Sequence, residues 1–309
     1  MKLSVIVATR NRAHAIAGCL DSIAVSLAKA APLDAEIIVV DNGSQDATSR
    51  AVEQWATESA FPVRLLLEPR AGLSVARNRA LRAAQGELLL FTDDDCRLSK
   101  EYVTDLLGYD AADTGPVIRG GRIELGDHTD LPITIRTTTT RQRLNRRTNP
   151  ATHDSIVGHI SGCNMTMRRA LVEKLGLFDE RFGPGSSIES NEDTDYLFRA
   201  YLEGFTLEYV PDMTVFHYHG RKQKSAGYKL YRSYSIGTGA IYAKYLFKHP
   251  NLCLPFYWDI KKSIKEIVFR TNLFYPVIDF SFKHKVAYAV LGAVRYFLVS
   301  RRPEQHSVQ

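Results

Sequence analysis

The sequence predicts an α/β fold of the doubly wound kind, and two observations support this prediction. Four apolar runs that do not alternate with polar residues lie in the first third of the 309-residue chain. Runs of this kind are typical of strands buried on both faces of a parallel sheet. Segments with apolar residues three and four positions apart separate them, which indicates amphipathic helices. A β-α-β-α-β-α-β order gives an open sheet with right-handed crossovers.

The predicted elements of this first part alternate strictly. The strands are the apolar runs LSVIVA, EIIVVD, VRLLLE and ELLLFT, at residues 3–8, 36–41, 63–68 and 87–92. The helices are the periodic segments at residues 13–30, 46–59 and 74–84. Ligands of such sheets bind beyond the carboxyl ends of the strands. The polar segments ATRNR, DNGSQD, EPRAG and TDDDC, which follow the strands, should therefore meet at one edge.

The pattern is more mixed from residue 98 to about residue 220. VIRGGRIEL predicts a strand, and the polar, basic segment 136–150 predicts a mobile loop. GCNMTMRRALVEKL predicts a short strand and a helix, and NEDTDYLFRAYL predicts another helix. TLEYVPDMTVFHYHG predicts one or two short strands, and helices should dominate from residue 229 onward.

Three consecutive aspartates, Asp93, Asp94 and Asp95, follow the fourth predicted strand. Adjacent carboxylates repel one another, so either water solvates them in a surface turn or a cation holds them. In an extended chain, alternate residues share a face, so Asp93 and Asp95 could point to one side. Two hard oxygen ligands suit Mg²⁺ or Mn²⁺, which a diphosphate can bridge. The residues alone leave the solvated turn and the metal site both open.

Other candidate ligands follow the neighbouring strands. Asp41 could accept hydrogen bonds from a nucleobase, although Asn-Gly with a following Ser or Asp is also a turn and a helix cap. Thr9 and Arg10 could meet a base and a phosphate. Arg77 follows a glycine-initiated helix start and could face the same place. Each of these residues, taken alone, is as readily explained as part of the surface.

Six segments in order resemble the family-2 glycosyltransferases of bacterial polysaccharide assembly. They are LSVIVATRNR, IIVVDNGSQDAT, GLSVARNRAL, LLLFTDDDC, GCNMTMRR and NEDTDYLFR, and the resemblance covers approximately residues 1–220. It implies a single Rossmann-like nucleotide-diphospho-sugar transferase domain of the GT-A type, with a mixed central sheet. It also implies sugar transfer to a hydroxyl acceptor with inversion at the anomeric carbon, with Mn²⁺ or Mg²⁺ as cofactor. Residues 221–309 would form a helical extension.

The resemblance also implies a role for each matched residue. The nucleotide sugar would be bound by Thr9, Arg10, Arg12, Asp41, Arg77, Asp93 and Asp94. The sugar or acceptor pocket would be lined by Gly162, Cys163, Asn164 and Glu192. The metal would be held by Asp95 and His217, with His219 as a competing choice. Asp193 would be the catalytic base.

An inverting transfer is a single in-line displacement, which itself requires a base near the acceptor hydroxyl and a cation near the leaving diphosphate. Asp193 and Asp95, far apart in sequence, meet this requirement. Glu192 and Asp195 are alternative bases. Acidic residues at a helix start also favour the helix dipole, so capping is the alternative explanation of Asp193.

The charge is unevenly distributed. From residue 221 to the end, the sequence has sixteen Lys and Arg residues but only four Asp and Glu residues, whereas the net charge of the whole chain is +6. The apolar segments of this tail, such as residues 286–299, are too short to span a bilayer. We expect them to lie on an anionic membrane surface and to meet a lipid-linked saccharide acceptor there. A helical subdomain that packs on protein is the alternative.

Several other classes are disfavoured. No glycine follows the first strand before Gly18, which argues against a sugar-nucleotidyltransferase, and the G-x-G-x-x-G pattern of a dinucleotide enzyme is absent there. A non-catalytic sugar- or nucleotide-binding protein on the same fold stays open. We expect no nucleic-acid partner. Four scattered cysteines without metal-ligand spacing and the lack of a signal peptide predict reduced thiols in a cytoplasmic protein.

Overall fold

The computed structural model describes residues 2–148 and 153–300. The end of the predicted loop, at residues 149–152, and the basic end of the chain, at residues 301–309, lie outside the described residues. The chain divides into two compact units. The first, here called the sheet unit, contains Met1–Asp179 and Glu192–Lys222, and the second, the helical unit, contains Glu180–Asn191 and Gln223–Gln309.

The sheet unit begins with the predicted alternation of parallel strands and helices. Its elements are β1 (Leu3–Thr9), α1 (Ile16–Lys29), β2 (Ala35–Asp41), α2 (Thr48–Glu58), β3 (Val63–Leu67), α3 (Leu73–Ala83) and β4 (Leu88–Asp93). β1 pairs in parallel with β2 and with β4, and β2 pairs in parallel with β3. The face of β1, β2 and β4 that belongs to the same core cluster as α1 is apolar, and the opposite face is also buried but includes Ser4 and Glu36. The three strand ends therefore meet at one edge.

The remaining strands make the sheet mixed. The elements are β5 (Cys96–Leu98), α4 (Tyr102–Ala111), β6 (Val117–Leu125), β7 (Gln142–Leu144), α5 (His153–Ile156), β8 (Asn164–Arg168), α6 (Arg169–Leu175), α7 (Glu192–Leu202) and β9 (Thr206–His217). The strand order among the described residues is β3-β2-β1-β4-β8-β6-β9-β5, and β7 pairs with β9. β8 runs antiparallel to β4, and β5 runs antiparallel to β9.

The last strand differs from its prediction because of an irregularity in its pairing. β9 is one strand of 12 residues, and its register against β6 shifts between Gly121 and Ile123. The shift brings the Met213 carbonyl so close to Gly121 that a Cβ at this position would overlap with it. The bulge allows β9 to continue past Pro211 to His217, which pairs with Cys96 at the edge of the triplet.

The prediction of a loop at residues 136–150 is wrong for its middle. β7 lies there and pairs with β9 at Tyr209, Glu208 and Leu207. The basic side chains that suggested a solvated loop have a buried partner, because Arg141 Nη2 lies 2.6 Å and Arg143 Nε 3.4 Å from Glu208 Oε1. The composition of the segment could not reveal an acidic partner that lies more than 60 residues away.

The helical unit contains three long helices, α8 (Lys224–Tyr245), α9 (Leu254–Phe269) and α10 (Phe282–Ser300). α8 and α10 approach closely, since a Cβ at Gly239 would overlap with the Ala289 carbonyl and a Cβ at Gly292 with the Ile236 carbonyl. Among residues 2–148 and 153–300, every helix falls short of the length and apolar character needed to cross a bilayer.

The middle helix of this unit, α9, buries two acidic side chains and a serine and exposes most of its large apolar side chains. Asp259, Ser263 and Glu266 are buried. Glu266 accepts hydrogen bonds from the backbone N–H groups of Leu273 and Lys283, which fixes the segment that follows the helix. The large apolar residues on the other faces are exposed: Tyr257, Trp258, Ile260, Ile264, Ile267, Val268 and Phe269. An exposed apolar face of this size marks an interaction surface.

Candidate active site

The three aspartates lie at the end of β4 and in the turn that follows. Asp93 is the last residue of β4, Asp94 and Asp95 form the turn, and β5 begins at Cys96. Strand alternation therefore does not align Asp93 with Asp95, contrary to the expectation from an extended chain. The tight turn sends the three carboxylates in different directions, and each meets its own partner.

Asp94 faces the end of β1. Its Oδ2 accepts a hydrogen bond from Thr9 Oγ1 at 2.7 Å, and its Oδ1 lies 3.3 Å from Arg12 Nε. Burial raises the pKa of Asp94 to about 6, although the Thr9 hydroxyl and the Arg12 charge both act to lower it. Thr9 and Arg12, predicted to contact the nucleotide, are thus attached to the triplet.

Asp95 faces β9. Its Oδ1 lies 3.3 Å from His217 Nε2, and its Oδ2 lies 3.3 Å from Arg12 Nη2. Burial acts to raise the pKa of Asp95, but the hydrogen bond and charge of His217, with the charge of Arg12, hold it below its ordinary value. Burial likewise acts to lower the pKa of His217, but the bond to Asp95 outweighs it and raises that pKa to about 9. The two predicted metal ligands are therefore adjacent.

Asp93 connects the triplet to the start of α7 through Arg77. Arg77 Nη2 lies 3.2 Å from Asp93 Oδ1, and Arg77 Nη1 donates to Glu192 Oε1 at 2.9 Å. Arg77 is 2% exposed, whereas the Asp93 side chain is 33% exposed. Gly162 packs against the guanidinium, and a Cβ there would lie 2.7 Å from both Nη1 and Nη2. The predicted contact of Arg77 with the nucleotide stays a prediction, since two carboxylates occupy its terminal nitrogens.

Asp193 is next to this connection and is half-buried. Its Oδ2 accepts a hydrogen bond from the Gly162 N–H at 2.8 Å, and its Oδ1 accepts one from the Thr194 N–H at 2.6 Å. Two backbone donors therefore fix the carboxylate at the first turn of α7. The capping explanation and a catalytic role are compatible at this position, because one side of the group stays accessible.

The neighbouring Glu192 is buried, and its pKa is raised above the ordinary value of a glutamate. Burial, followed by repulsion from Asp193, raises the pKa of Glu192 to about 7, against the opposing charge of Arg77. Asp195, the other alternative base, is fully buried and lies 3.2 Å from Arg199 Nε. Of the three acids at the start of α7, only Asp193 combines exposure with fixed orientation.

Three predicted residues have surroundings unlike those expected of pocket walls. Asn164 is 0% exposed; its amide donates to the carbonyls of Arg122 and Met213, and its Oδ1 accepts from Tyr102 Oη at 2.6 Å. Cys163 is buried beside it. His219 turns away, because its Nε2 lies 3.1 Å from the Leu131 carbonyl and its Nδ1 accepts from the Arg221 N–H. These contacts do not support a pocket role for Asn164 or a metal role for His219.

The remaining two predicted residues lie at the other strand ends. Asp41 is buried within its own loop, where it accepts hydrogen bonds from the Ser44 N–H at 2.8 Å and from the Ser49 hydroxyl. Its turn role is thus present, and its contact with a nucleobase stays a prediction. Arg10 is exposed just beyond β1.

The sequence reasoning missed two features near Asp95. Arg221 acts through its charge to lower the pKa of Asp95, and its Nη1 is buried without a hydrogen-bond partner among the described residues. Its position in the sequence, two residues after the candidate ligand His219, could have indicated that Arg221 lies near the site. The sulfur atoms of Cys96 and Cys163 lie near a His217 nitrogen, which no sequence spacing indicated.

The donor set at Asp95 and His217 suits the implied cofactor. A carboxylate oxygen and an imidazole nitrogen 3.3 Å apart can bind one Mn²⁺ or Mg²⁺ ion, with the exposed Asp93 carboxylate nearby. The residues present therefore fit the metal that the sequence comparison implied.

A sequence model described as glycosyl transferase family 2 matches residues 4–176 of the chain, which is more than half of its length. The chain belongs to glycosyl transferase family 2. The predicted family is thereby confirmed, and the matched region of this family-2 enzyme includes β1 through α6 and the whole aspartate triplet.

Similar proteins agree with this assignment. Glycosyltransferase AglE of Haloferax volcanii is 26% identical over 245 residues, which are 77% of this chain and 73% of AglE. The structure of Staphylococcus aureus TarS 1–349 in complex with UDP-GlcNAc has a TM-score of 0.57 and 22% identity over 86% of this chain and 78% of that one. Mannosyltransferase PcManGT from Pyrobaculum calidifontis, in complex with GDP-Man and Mn²⁺, has a TM-score of 0.60 and 19% identity over 97% and 88%. The predicted GT-A type fold is confirmed.

Proposed function

We propose that this family-2 glycosyltransferase transfers a sugar from a nucleotide-diphospho-sugar to a hydroxyl of a lipid-linked saccharide, with inversion, in surface polysaccharide synthesis. In this proposal Asp193 is the base, and Asp95 and His217 hold Mn²⁺ or Mg²⁺. The sheet unit acts as the catalytic domain; it covers the predicted residues 1–220 except Glu180–Asn191, which belong to the helical unit. The helical unit brings the enzyme to the inner face of the cytoplasmic membrane.

One observation carries the proposal: Arg77 joins the Asp93 carboxylate to the Glu192 carboxylate. It brings together two acidic clusters that are about 100 residues apart in the sequence. An in-line displacement requires a base for the attacking hydroxyl and a cationic region for the leaving group in one place. The base candidate and the cation ligands thus belong to one arrangement.

The base is assigned to Asp193 because of its surroundings. The Gly162 and Thr194 N–H groups hold the carboxylate in one orientation, and the side chain is accessible, so that an acceptor hydroxyl can lose its proton to it. Glu192 is the rival, since a carboxyl whose pKa is raised to about 7 is poised for proton transfer at neutral pH. Because Glu192 is buried and bonded to Arg77, it is less accessible to an acceptor hydroxyl than Asp193 is, so we assign the base to Asp193.

The leaving diphosphate has a protein partner in Arg221. Burying a guanidinium nitrogen that has no hydrogen-bond partner among the described residues costs free energy of folding, unless a ligand accepts a hydrogen bond from it. Phosphate oxygens are suitable acceptors for Arg. A divalent cation bound at Asp95 and His217 would supply Lewis-acid stabilisation of the same leaving group.

The donor can be tested without knowing the acceptor. A panel of UDP-, GDP- and dTDP-sugars is screened for thermal stabilisation and slow hydrolysis with Mn²⁺ or Mg²⁺. We expect Asp95→Ala to lose metal-dependent binding. Asp193→Asn should keep donor binding and, once an acceptor is found, lose about 100-fold or more of the transfer rate.

The matched control is Asp127→Asn, since Asp127 lies in a surface turn where it accepts from Thr129 and pairs with Lys222. The variant should bind and hydrolyse the donor as the wild type does. If no nucleotide sugar stabilises the protein, the donor class is wrong. If Asp193→Asn transfers at the wild-type rate while Glu192→Gln does not, the base is Glu192.

The membrane part of the proposal is supported by α9. Its exposed apolar face includes Trp258 and Ile264, and Lys261 Nζ lies 4.6 Å from the centre of the Tyr257 ring and 5.0 Å from that of Trp258. A helix that lies in the membrane interface typically carries aromatic rings and lysines at the same depth relative to the lipid headgroups. The helical unit also has an apolar recess of about 170 Å³, lined by residues of α8, α9 and α10.

A vesicle experiment tests this surface. The double variant Ile264→Glu/Ile267→Glu places two charges on the exposed face, so it should sediment about tenfold less with phosphatidylglycerol-containing vesicles than the wild type does. Val25→Glu is the control, since Val25 is an equally exposed apolar residue on α1. Equal sedimentation of all three proteins would show that α9 is not the membrane contact.

A further inference from the structure

The buried cluster beside the aspartate triplet consists of Cys96, Cys163 and His217. One ligand atom of each, the two sulfurs and an imidazole nitrogen, lies within 4.8 Å of the other two. Cys96 opens β5, Cys163 precedes β8, and His217 ends β9. Three separate segments therefore bring these groups together, and the arrangement follows from the sheet rather than from local sequence.

The separations are near those of a tetrahedral zinc site. Sulfur lies about 2.3 Å and nitrogen about 2.0 Å from zinc, so adjacent ligand atoms are about 3.3–3.8 Å apart. Side-chain movements of about 1 Å bring the three atoms to these distances. Asp95 can close the site, because its Oδ1 lies 3.3 Å from His217 Nε2 and 3.9 Å from Cys96 Sγ.

The chemistry of these ligands differs from that of the carboxylates next to them. Thiolates select soft or borderline cations such as Zn²⁺, whereas carboxylates suit Mg²⁺ and Mn²⁺. His217 and Asp95 belong to both groups. A cation bound to the sulfurs therefore takes ligands that the carboxylate site needs, and the two sites cannot be filled independently.

We propose that Cys96, Cys163 and His217, closed by Asp95, form a Zn²⁺ site whose occupation excludes Mn²⁺ or Mg²⁺ from the carboxylate site. Binding of Zn²⁺ releases one proton from each thiol and, since the raised pKa of His217 keeps its imidazole protonated at neutral pH, a third proton from His217. The consequence for activity rests on the proposed function, but the metal site does not.

A spectroscopic titration tests the site by itself. The full chain, reduced and metal-free, is titrated with Co²⁺, which gives a thiolate charge-transfer band when sulfur binds it, and then with Zn²⁺. The wild type should bind one equivalent with this band, and Zn²⁺ should displace it. Cys96→Ala should bind at least about tenfold more weakly.

Cys19→Ala is the matched control. Cys19 is also buried near the triplet, with its Sγ 3.4 Å from the Asp93 carbonyl, but it is not part of the three-residue cluster. It should titrate as the wild type does. A wild-type Co²⁺ spectrum without the thiolate band, or an equal loss in both variants, would overturn the proposal.

Two further measurements keep the outcome decisive. If Cys96→Ala does not fold, the protons that the wild type releases per Zn²⁺ are counted with a pH indicator; two or three support the site, and none or one contradicts it. In Mn²⁺-supported donor hydrolysis, Cys96→Ala should need at least about tenfold more Zn²⁺ for half-inhibition, relative to its own zinc-free rate. Absence of donor hydrolysis in the wild type would contradict the proposed function and leave the titration to decide the metal site.

Discussion

The sheet unit and the helical unit both bury charged groups beside specific partners, but the helical unit also exposes a large apolar helix face. The sheet unit buries charged groups and neutralises each with a specific partner, as Arg77 does for Asp93 and Glu192. The helical unit exposes apolar side chains and, in α9, buries Asp259 and Glu266. The two units therefore differ less in how they bury charge than in how much apolar surface they expose.

The largest expected effect comes from removing the cation at the centre of the acidic cluster. Arg77→Met leaves Asp93, Glu192 and Asp193 without their shared partner, so the free energy of unfolding should fall by about 3–5 kcal/mol. Urea unfolding monitored by circular dichroism measures it. Lys222→Ala, which breaks an exposed pair with Asp127, should cost less than about 1 kcal/mol. Equal losses would show that burial does not matter for these pairs.

The pH dependence of stability tests the same cluster. The pKa of Glu192 is raised in the folded state to about 7, so the folded protein binds more protons than the unfolded one and loses stability as pH rises from about 4 to 7. Glu192→Gln removes this loss. Between pH 4 and pH 8, the difference in unfolding free energy should move in favour of the variant by about 3 kcal/mol. A difference that does not change with pH would contradict the raised pKa.

In the helical unit, the contact between α8 and α10 should be the most sensitive. Gly292→Ala places a methyl group against the Ile236 carbonyl, so the helices must separate, at a cost of about 2 kcal/mol. Gly108→Ala in α4 is the control, since a Cβ there meets nothing within 4 Å. It should stabilise its helix by up to about 1 kcal/mol. Differential scanning calorimetry distinguishes the two signs.

The smallest effect concerns the exposed face of α9. Ile264 is 55% exposed, so Ile264→Ala should change the free energy of unfolding by less than about 0.5 kcal/mol. Glu266→Ala, on the buried face, leaves the Leu273 and Lys283 N–H groups without their acceptor and should cost about 1–3 kcal/mol. Thermal melts of both variants in detergent-free buffer measure this. The reverse order would mean that the apolar face is covered in solution.

The sequence by itself determined the parallel part of the sheet and the position of the acidic residues along it. Continuous apolar runs are sufficient to place β1, β2 and β4, because burial on both faces favours apolar residues at every position, and the run of β3 predicts a strand although β3 is a partly exposed edge strand. The carboxyl ends of these strands then fix the location of Asp41 and Asp93 without further information. The family could be recognised from six short motifs, because each is a local stretch of sequence and the six occur in a fixed order along the chain.

Only the tertiary structure decided which partners these residues have. Arg77 pairs with Glu192, Arg141 with Glu208, and Cys96 approaches Cys163, all across separations of more than 60 residues. Charge neutralisation acts over a few ångströms, and no local pattern encodes which distant groups will be that close. The buried polar face of α9 could not be predicted for the same reason. Glu266 accepts hydrogen bonds from backbone N–H groups that only the fold brings close to it.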